Sequence, residues 1–342
     1  MSKMMDEILQ QPQALERTFR AERKHAEEFS SFARGKFRLI LLVARGTSDN
    51  AAMFARYLLE LTTGIPVALA APSLHTLYHA QLDLKDTLMI GISQSGAGTD
   101  INLVLESARR QGAFTVGITN EAQSPMARLV KEVFLVRAGP QKSVAATKTY
   151  TGQLMLIYLL AFALGDRLTL EAISAIPDRA QAALGLANEI RVLVERYRFM
   201  RQCAVVARGL NFANALELSL KLIETCYVIA ERFSSADFLH GPIAMVERNF
   251  PVILFMPPGR TYRDISALAR RLHGLGADTL AITSADAKSA ATRTIRVPGT
   301  IPEIYTPIPY IIPGQILAAH LAEVKGLDPD HPRSLRIVTR TL

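Results

Sequence analysis

The sequence predicts two tandem copies of one α/β domain, each a buried parallel sheet with helices on its faces. Length and composition are the first reason. The chain has 342 residues, 49% of them hydrophobic and 20% charged, with 20 Gly, 17 Pro and no Trp. That is an ordinary globular composition, and at roughly 150 residues per domain it leads to two compact domains. The second reason is an internal repeat. Val43-Ala44-Arg45-Gly46 recurs as Val206-Ala207-Arg208-Gly209, Gly96 as Gly259, Gly112-Ala113 as Gly276-Ala277 and Gly152-Gln153-Leu154 as Gly314-Gln315-Ile316, in the same order at offsets of 162–164 residues. Such a period is far too long for a solenoid and points to duplication of a whole domain. The third reason is the alternation of short Val/Ile/Leu-rich runs with longer helical stretches. Runs that are apolar on both faces and joined by crossover helices belong to buried parallel sheets.

Taken in order, residues 1–34 read as an N-terminal helix, with Ile8, Leu15, Phe19, Ala26 and Phe29 on one stripe and Pro12 near a helix start. The first domain, 35–165, is expected to run strand Leu39–Ala44, helix 48–62, strand Val67–Ala70, strand Thr87–Ile92, helix 100–110 and strand Phe114–Ile118. A linker helix over 166–196 follows, since Leu168 to Arg198 carries apolar residues at helical spacing. The second domain spans 197–330, with a helix predicted from Phe212 to Ala230, and 331–342 is a C-terminal tail.

Composition also excludes several function classes. The net charge is +8, but the 39 Lys and Arg are scattered among 31 Asp and Glu with no long basic run. A small anionic substrate explains the surplus as well as nucleic acid does, and no nucleic-acid partner is expected. Cys203 and Cys226 lie in apolar surroundings without Cys or His at ligand spacing, which excludes a disulfide framework and a zinc site. There is no signal-like segment, and the longest apolar run, Leu154 to Leu164, is too short to cross a bilayer. The expectation is a soluble cytoplasmic protein without a membrane partner, metal or cofactor.

Ligands of open parallel sheets bind outside the carboxyl ends of the strands, where loops enter helix N-termini. Three loops of the first copy qualify. In Arg45-Gly46-Thr47-Ser48-Asp49-Asn50, Gly46 permits close backbone approach while Thr47 and Ser48 offer hydroxyls, although a plain N-cap explains the same residues. In Ser93-Gln94-Ser95-Gly96-Ala97-Gly98-Thr99, three hydroxyls, an amide and two glycines before a helix suit a phosphate dianion, and a capped turn would need only one such residue. In Ser143-Val144-Ala145-Ala146-Thr147-Lys148-Thr149, the alternative is a cap with a surface lysine. The second copy has Met256-Pro257-Pro258 where the first has Ser93-Gln94-Ser95, so phosphate binding is expected of the first copy only. The second copy instead offers Glu217, Lys221 and Glu224 at i, i+4 and i+7, either a solvated face with an ion pair or an acid/base row. Downstream, His240 precedes a Gly-Pro turn, a structural histidine or a candidate acid or base.

Together these residues resemble the SIS (sugar isomerase) family, specifically its tandem members: the isomerase half of glucosamine-6-phosphate synthases and the type II glucosamine-6-phosphate deaminases. The resemblance covers nearly the whole chain through Arg45-Gly46-Thr47-Ser48, Ser93-Gln94-Ser95-Gly96, Val144-Ala145-Ala146-Thr147-Lys148, Lys221 with Glu224, His240-Gly241-Pro242 and Asp328-Pro329-Asp330-His331-Pro332-Arg333. It implies two flavodoxin-like αβα domains in a homodimer with shared active sites. By the same resemblance, Gly46, Thr47, Ser48, Ser93, Gln94, Ser95, Gly98 and Thr99 would hold the sugar phosphate, and the backbone at Val144 and Ala145 would complete the pocket. Glu224 would move a proton between C1 and C2, and His240, reaching the neighbouring subunit, would assist ring opening. Lys221 would stabilise developing charge or tune Glu224. Removing a proton next to a carbonyl or imine suits a carboxylate shielded from water, its pKa raised by burial.

Three departures direct the choice among reactions. The family's hydroxyl two positions after Gly96 is replaced by Gly98, with Thr99 following. The lysine that forms a Schiff base in the synthases corresponds to Ile337, which cannot form an imine and leaves only an electrostatic role for Arg336 or Arg340. Finally, the synthases carry a glutaminase domain whose nucleophile is a cysteine directly after the initiator. Here residue 2 is Ser, so the chain is expected not to release ammonia from glutamine by itself. The expected activity is therefore conversion of glucosamine 6-phosphate to fructose 6-phosphate and ammonia. The alternatives are an isomerase or deglycase for another sugar 6-phosphate, and a sugar-phosphate-sensing module without catalysis.

Overall fold

The structure is a computed structural model and describes residues 2–335. It contains ten strands: β1 (Leu39–Val43), β2 (Val67–Leu69), β3 (Thr87–Ile92), β4 (Phe114–Thr119), β5 (Glu132–Leu135), β6 (Gln202–Ala207), β7 (Ile229–Ser234), β8 (Pro251–Met256), β9 (Asp278–Ser284) and β10 (Arg293–Val297). They form two five-stranded, all-parallel sheets ordered β2-β1-β3-β4-β5 and β10-β9-β8-β6-β7. Counted within each copy, both orders are 2-1-3-4-5, the flavodoxin-like winding, so the duplication holds at the level of topology. β3 is buried at all six positions, as its unbroken apolar sequence requires.

The core repeats as well. Ile101, Val104, Leu105, Ala108 and Ala113 pack in one cluster, and the residues 164 positions on, Ile265, Leu268, Ala269, Leu272 and Ala277, pack in another. Each copy ends in a helix buried on nearly every face, Lys148–Leu164 and Pro307–Val324. Such helices lie inside a protein, between layers, rather than on its surface.

The chain forms two compact units that do not follow the sequence strictly. One comprises residues 2–12, Lys142–Thr147 and Ile176–Ser334; the other comprises Gln13–Gln141 and Lys148–Ala175. The N-terminal region is two helices, Lys3–Leu9 and Gln11–Ala33, rather than one, with Pro12 in the first turn of the second. The region read as a linker helix is broken into Leu170–Ser174, Ile176–Leu184, Ala187–Leu193 and a 3₁₀ turn Val194–Tyr197. Pro177, which fits only a helix start, accounts for the first break. The helix expected to reach Ala230 stops at Cys226. Tyr227 is left-handed (φ 52°), and the Val228 N–H turns back to the Leu222 carbonyl at 3.3 Å, a Schellman-type end that releases Ala230 into β7. No helix among the described residues is long and apolar enough to cross a membrane.

One part-buried charge cluster fixes Gln11–Ala33 against the first sheet. His25 stacks on Phe134 (centroids 4.3 Å apart) and lies 3.4 Å from Glu22 and 3.1 Å from Glu132. The Glu22 hydrogen bond, together with Glu132, outweighs burial and raises the His25 pKa above 6.5. Its stabilisation is therefore full below pH 6.5 and fades as the pH rises through the higher folded value. His25→Gln is expected to cost about 0.5–1 kcal/mol more at pH 6 than at pH 8.5, as checked by urea unfolding at the two pH values.

Candidate functional site

In the unit of β1–β5, the two Ser-rich loops leave adjacent strands, β1 and β3, at their carboxyl ends. In a 2-1-3-4-5 sheet this is the topological switch point, where the connections diverge and leave a crevice. Gly46 stands at the N-cap of helix Thr47–Thr63, Gly98 at the N-cap of helix Thr99–Arg110, and neither start has a side-chain cap. The plain-cap reading of the first loop is thereby corrected: glycine has no side chain with which to cap. The loops are tied together by Arg45 Nε on Asp100 Oδ2 at 2.7 Å, with Asp100 buried. The duplicate positions repeat this pair as Arg208 and Asp264, 3.5 Å apart.

The three serines share a hydrogen-bonding pattern. Ser48 Oγ accepts from Gln153 Nε2 (2.9 Å), Ser93 Oγ from the Gly96 N–H (3.1 Å) and Ser95 Oγ from the Ala97 N–H (3.3 Å). Each hydroxyl is thus oriented by a donor and keeps its own O–H for an outside acceptor. The Gln94 carbonyl accepts from the Asn120 N–H (3.0 Å) and Thr119 Oγ1 (3.2 Å), which fixes the loop backbone. Gly96 has φ +60°, and a Cβ there would lie 2.3 Å from Ser124 Oγ, so only glycine fits. Gly98 is different: an added Cβ would find nothing nearer than 3.5 Å, so the missing family hydroxyl is not a steric necessity. Thr99, the next hydroxyl, is exposed, and Thr47 is half-buried.

Residues 143–147 of the third loop, Val144 and Ala145 among them, belong to the other unit, whereas Lys148 and Thr149 belong to the unit of β1–β5. There the Lys142 N–H donates to Glu7 Oε1 at 2.6 Å, and Gln315 Nε2 donates to the Thr147 carbonyl at 3.5 Å. Lys148, which follows it, is not a surface lysine: it is buried, and its Nζ donates to the Pro140 carbonyl at 2.7 Å.

The unit of β6–β10 carries the acid/base row on helix Phe212–Cys226. It is not a solvated face. Lys221 and Glu217 are fully buried, with Lys221 Nζ 3.5 Å from Glu217 Oε1 and 2.5 Å from Glu224 Oε2. Burial alone would lower the Lys221 pKa, but the charges of Glu217 and Glu224 and their hydrogen bonds outweigh it and raise it. Glu224, its side chain 20% exposed, is the member of the row that faces outward. The expectation of a carboxylate shielded from water is therefore corrected to a partly exposed carboxylate gripped from behind by a buried ammonium.

His240 caps the carboxyl end of the short helix Ser235–Leu239 and is exposed. The unit does not bring it to Glu224. Glu224 lies at the end of its helix, beside the amino ends of β6 and β7, where the Ile229 N–H donates to the Arg201 carbonyl at 2.9 Å. His240 follows the carboxyl end of β7, six residues of strand later, or about 20 Å. Ile337 lies outside the described residues.

Sequence reasoning passed over Asp100, although the partner Arg45 was already part of the repeat and Asp264 stands 164 residues on. It also gave no site role to Gln153, which it noted only as part of the repeat and which is a buried amide in an apolar helix.

Comparison with known proteins agrees with this layout. The SIS domain profile matches residues 36–163 and 200–322. A glutamine–fructose-6-phosphate aminotransferase [isomerizing] of Pyrococcus horikoshii is 33% identical over 340 residues, covering 97% of this chain and 56% of the relative. The chain thus spans little more than half the length of such curated relatives. Among solved structures, the C-terminal domain of glucosamine-fructose-6-phosphate aminotransferase from Francisella tularensis superposes with a TM-score of 0.86 at 27% identity, over 96% of this chain and 98% of that one. A Silicibacter pomeroyi protein provisionally assigned as a phosphosugar isomerase gives 0.87 at 30% identity, over 96% and 100%. The profile covers most of the chain and falls once on each copy of the duplicated fold, and the chain accordingly belongs to the SIS domain family, as a tandem member.

Proposed function

We propose that this protein is an amino-sugar phosphate isomerase/deaminase that converts glucosamine 6-phosphate and water to fructose 6-phosphate and ammonia. The observation that carries the reading is the row Glu217–Lys221–Glu224: a carboxylate presented to solvent and held by a buried ammonium is equipped to take and return one proton. Ser48, Ser93 and Ser95, with the uncapped helix starts behind Gly46 and Gly98, grip the phosphate, and that remote grip positions the reacting carbons. Gln94, Thr47 and Thr99 contact the sugar, as does the backbone at Val144 and Ala145. His240 helps to open the ring and expose the C1 aldehyde. Glu224 removes the C2 proton to give an enolamine and returns it to C1, and water then displaces ammonia from the resulting C2 imine. Lys221 opposes the negative charge that develops during the transfer.

With Glu224 and His240 beside opposite ends of β7, the His240 that serves a given Glu224 belongs to a second copy, so the working form is a homodimer. The test is release of ammonia from glucosamine 6-phosphate by the purified chain, with equimolar fructose 6-phosphate. Absence of both overturns the reading. The Gly98 departure supports a second reading, an isomerase for another sugar 6-phosphate. A panel of such esters in deuterated water separates the two, because deuterium enters C1 or C2 of whichever sugar is turned over.

A further inference from the structure

The second copy lacks the serine loop, yet the structure keeps an anion cradle at the corresponding place, and that cradle is filled. Gly259, the duplicate of Gly96, has φ +142° and precedes helix Tyr262–Gly274, just as Gly96 precedes Thr99–Arg110. At this helix start, Glu303 Oε2 accepts from the Arg260 N–H at 2.6 Å, and Glu303 Oε1 accepts from the Thr261 N–H at 3.3 Å and from Thr261 Oγ1 at 2.9 Å. Two consecutive backbone N–H groups, a hydroxyl and the positive end of a helix are what binds a phosphate dianion elsewhere. The fit is close: a Cβ on Gly259 would lie 2.3 Å from Glu303 Oε2, so the glycine is needed to admit the carboxylate. A cavity of about 470 Å³, lined in part by Pro258, Tyr262, Ser284, Asp286, Lys288 and Ile301, opens beside it. Pro258 and Tyr262 follow β8, Ser284 ends β9 and Lys288 follows it, as the serine loop and Asn120 follow β3 and β4, while Ile301 follows β10.

We infer that the second copy retains the anion-binding site of the duplicated domain, and that Glu303 is its built-in occupant, closing it to phosphate esters. The sequence supports this origin. Pro302-Glu303 stands 162 residues after Pro140-Gln141, the offset that also relates Gly152 to Gly314, so a neutral side chain in the first copy corresponds to the carboxylate in the second. A carboxylate satisfies the same donors as a phosphate and costs no ligand. With it in place the chain takes one phosphate ester, at the first copy.

The inference rests on the hydrogen bonds at Glu303 and stands whichever sugar the first copy turns over. The experiment is equilibrium binding of inorganic phosphate to the full chain, followed by ³¹P NMR, for wild type, Glu303→Ala, Ser93→Ala/Ser95→Ala and the triple variant. Expected is one more phosphate per chain in Glu303→Ala than in wild type, and survival of that extra phosphate in the triple variant. Glu303→Gln, whose amide still fills the space, gains none. A folded Glu303→Ala with wild-type stoichiometry overturns the inference. If Glu303→Ala does not fold in dilute buffer, concentrated phosphate is expected to restore it by replacing the lost carboxylate, and failure to do so also overturns the inference. The first-copy site is read separately, by the phosphate lost in the Ser93→Ala/Ser95→Ala variant.

Discussion

Glu224→Gln is expected to lower kcat for ammonia release by about 10²–10⁴-fold while KM changes little. The reasoning runs through position. Glu224 is the outward member of a row whose other two side chains are buried, so it is the one of the two carboxylates that substrate can reach. The amide is isosteric and still accepts from Lys221, but it cannot take a proton from carbon. In the proposed site phosphate is gripped by Ser48, Ser93 and Ser95, on different elements, so ground-state binding should survive and the loss should fall on the proton transfer. Three measurements check this: steady-state ammonia release, exchange of the C2 proton in deuterated water, and binding of an unreactive sugar phosphate. A variant that turns over at the wild-type rate removes Glu224 from the mechanism. Loss of binding in parallel with turnover would instead make it a substrate-positioning group.

How much of this was legible in the sequence depends on how each element meets water. The central strands β1, β3, β4, β6, β8 and β9 are covered on both faces and read as continuous apolar runs. β7 did not: its residues Glu231 and Arg232 are exposed, and its first two residues, Ile229 and Ala230, passed for the end of a helix. β5 and β10, also edge strands, carry Glu132, Arg293 and Arg296 and were not read at all, whereas the fourth edge, β2, was read from its short apolar run Val67–Ala70. An edge strand is solvated along one side and keeps only part of the pattern that identifies its neighbours. The duplication was legible because glycines needed for backbone conformation, such as Gly96 and Gly259, persisted while side chains around them diverged. The candidate site was legible as residue types and not as environments. Three charges at helical spacing look the same whether a helix face meets solvent or the core. That Glu217 and Lys221 are buried follows from the packing of Phe212–Cys226 against the buried helix Pro307–Val324. The carboxylate in the second cradle was less legible still, because Glu303 reaches Gly259 from a turn more than forty residues away.

Lys221→Met is expected to destabilise the unit of β6–β10 by about 3–5 kcal/mol, the usual cost of removing one partner from a buried ion pair. Methionine matches the length and apolar volume of the lysine stem, so little of this comes from a cavity. The loss is electrostatic. Lys221 Nζ is the cation 3.5 Å from the fully buried Glu217 and 2.5 Å from Glu224, and it stays charged because those two carboxylates overcome the penalty of its own burial. Taking it away withdraws a countercharge where the low dielectric makes charge most costly. The origin of the effect is testable by a double-mutant cycle in chemical denaturation. Glu217→Gln with Lys221→Met removes the second buried charge and should recover most of the stability, whereas pairing Lys221→Met with a distant substitution should be additive. Activity separates structure from chemistry. If Lys221 also opposes negative charge during proton transfer, the stability-restored double variant remains slow, with its deficit in kcat. If that variant instead recovers turnover along with stability, the lysine serves only to seat Glu224, and the catalytic burden rests on the carboxylate alone.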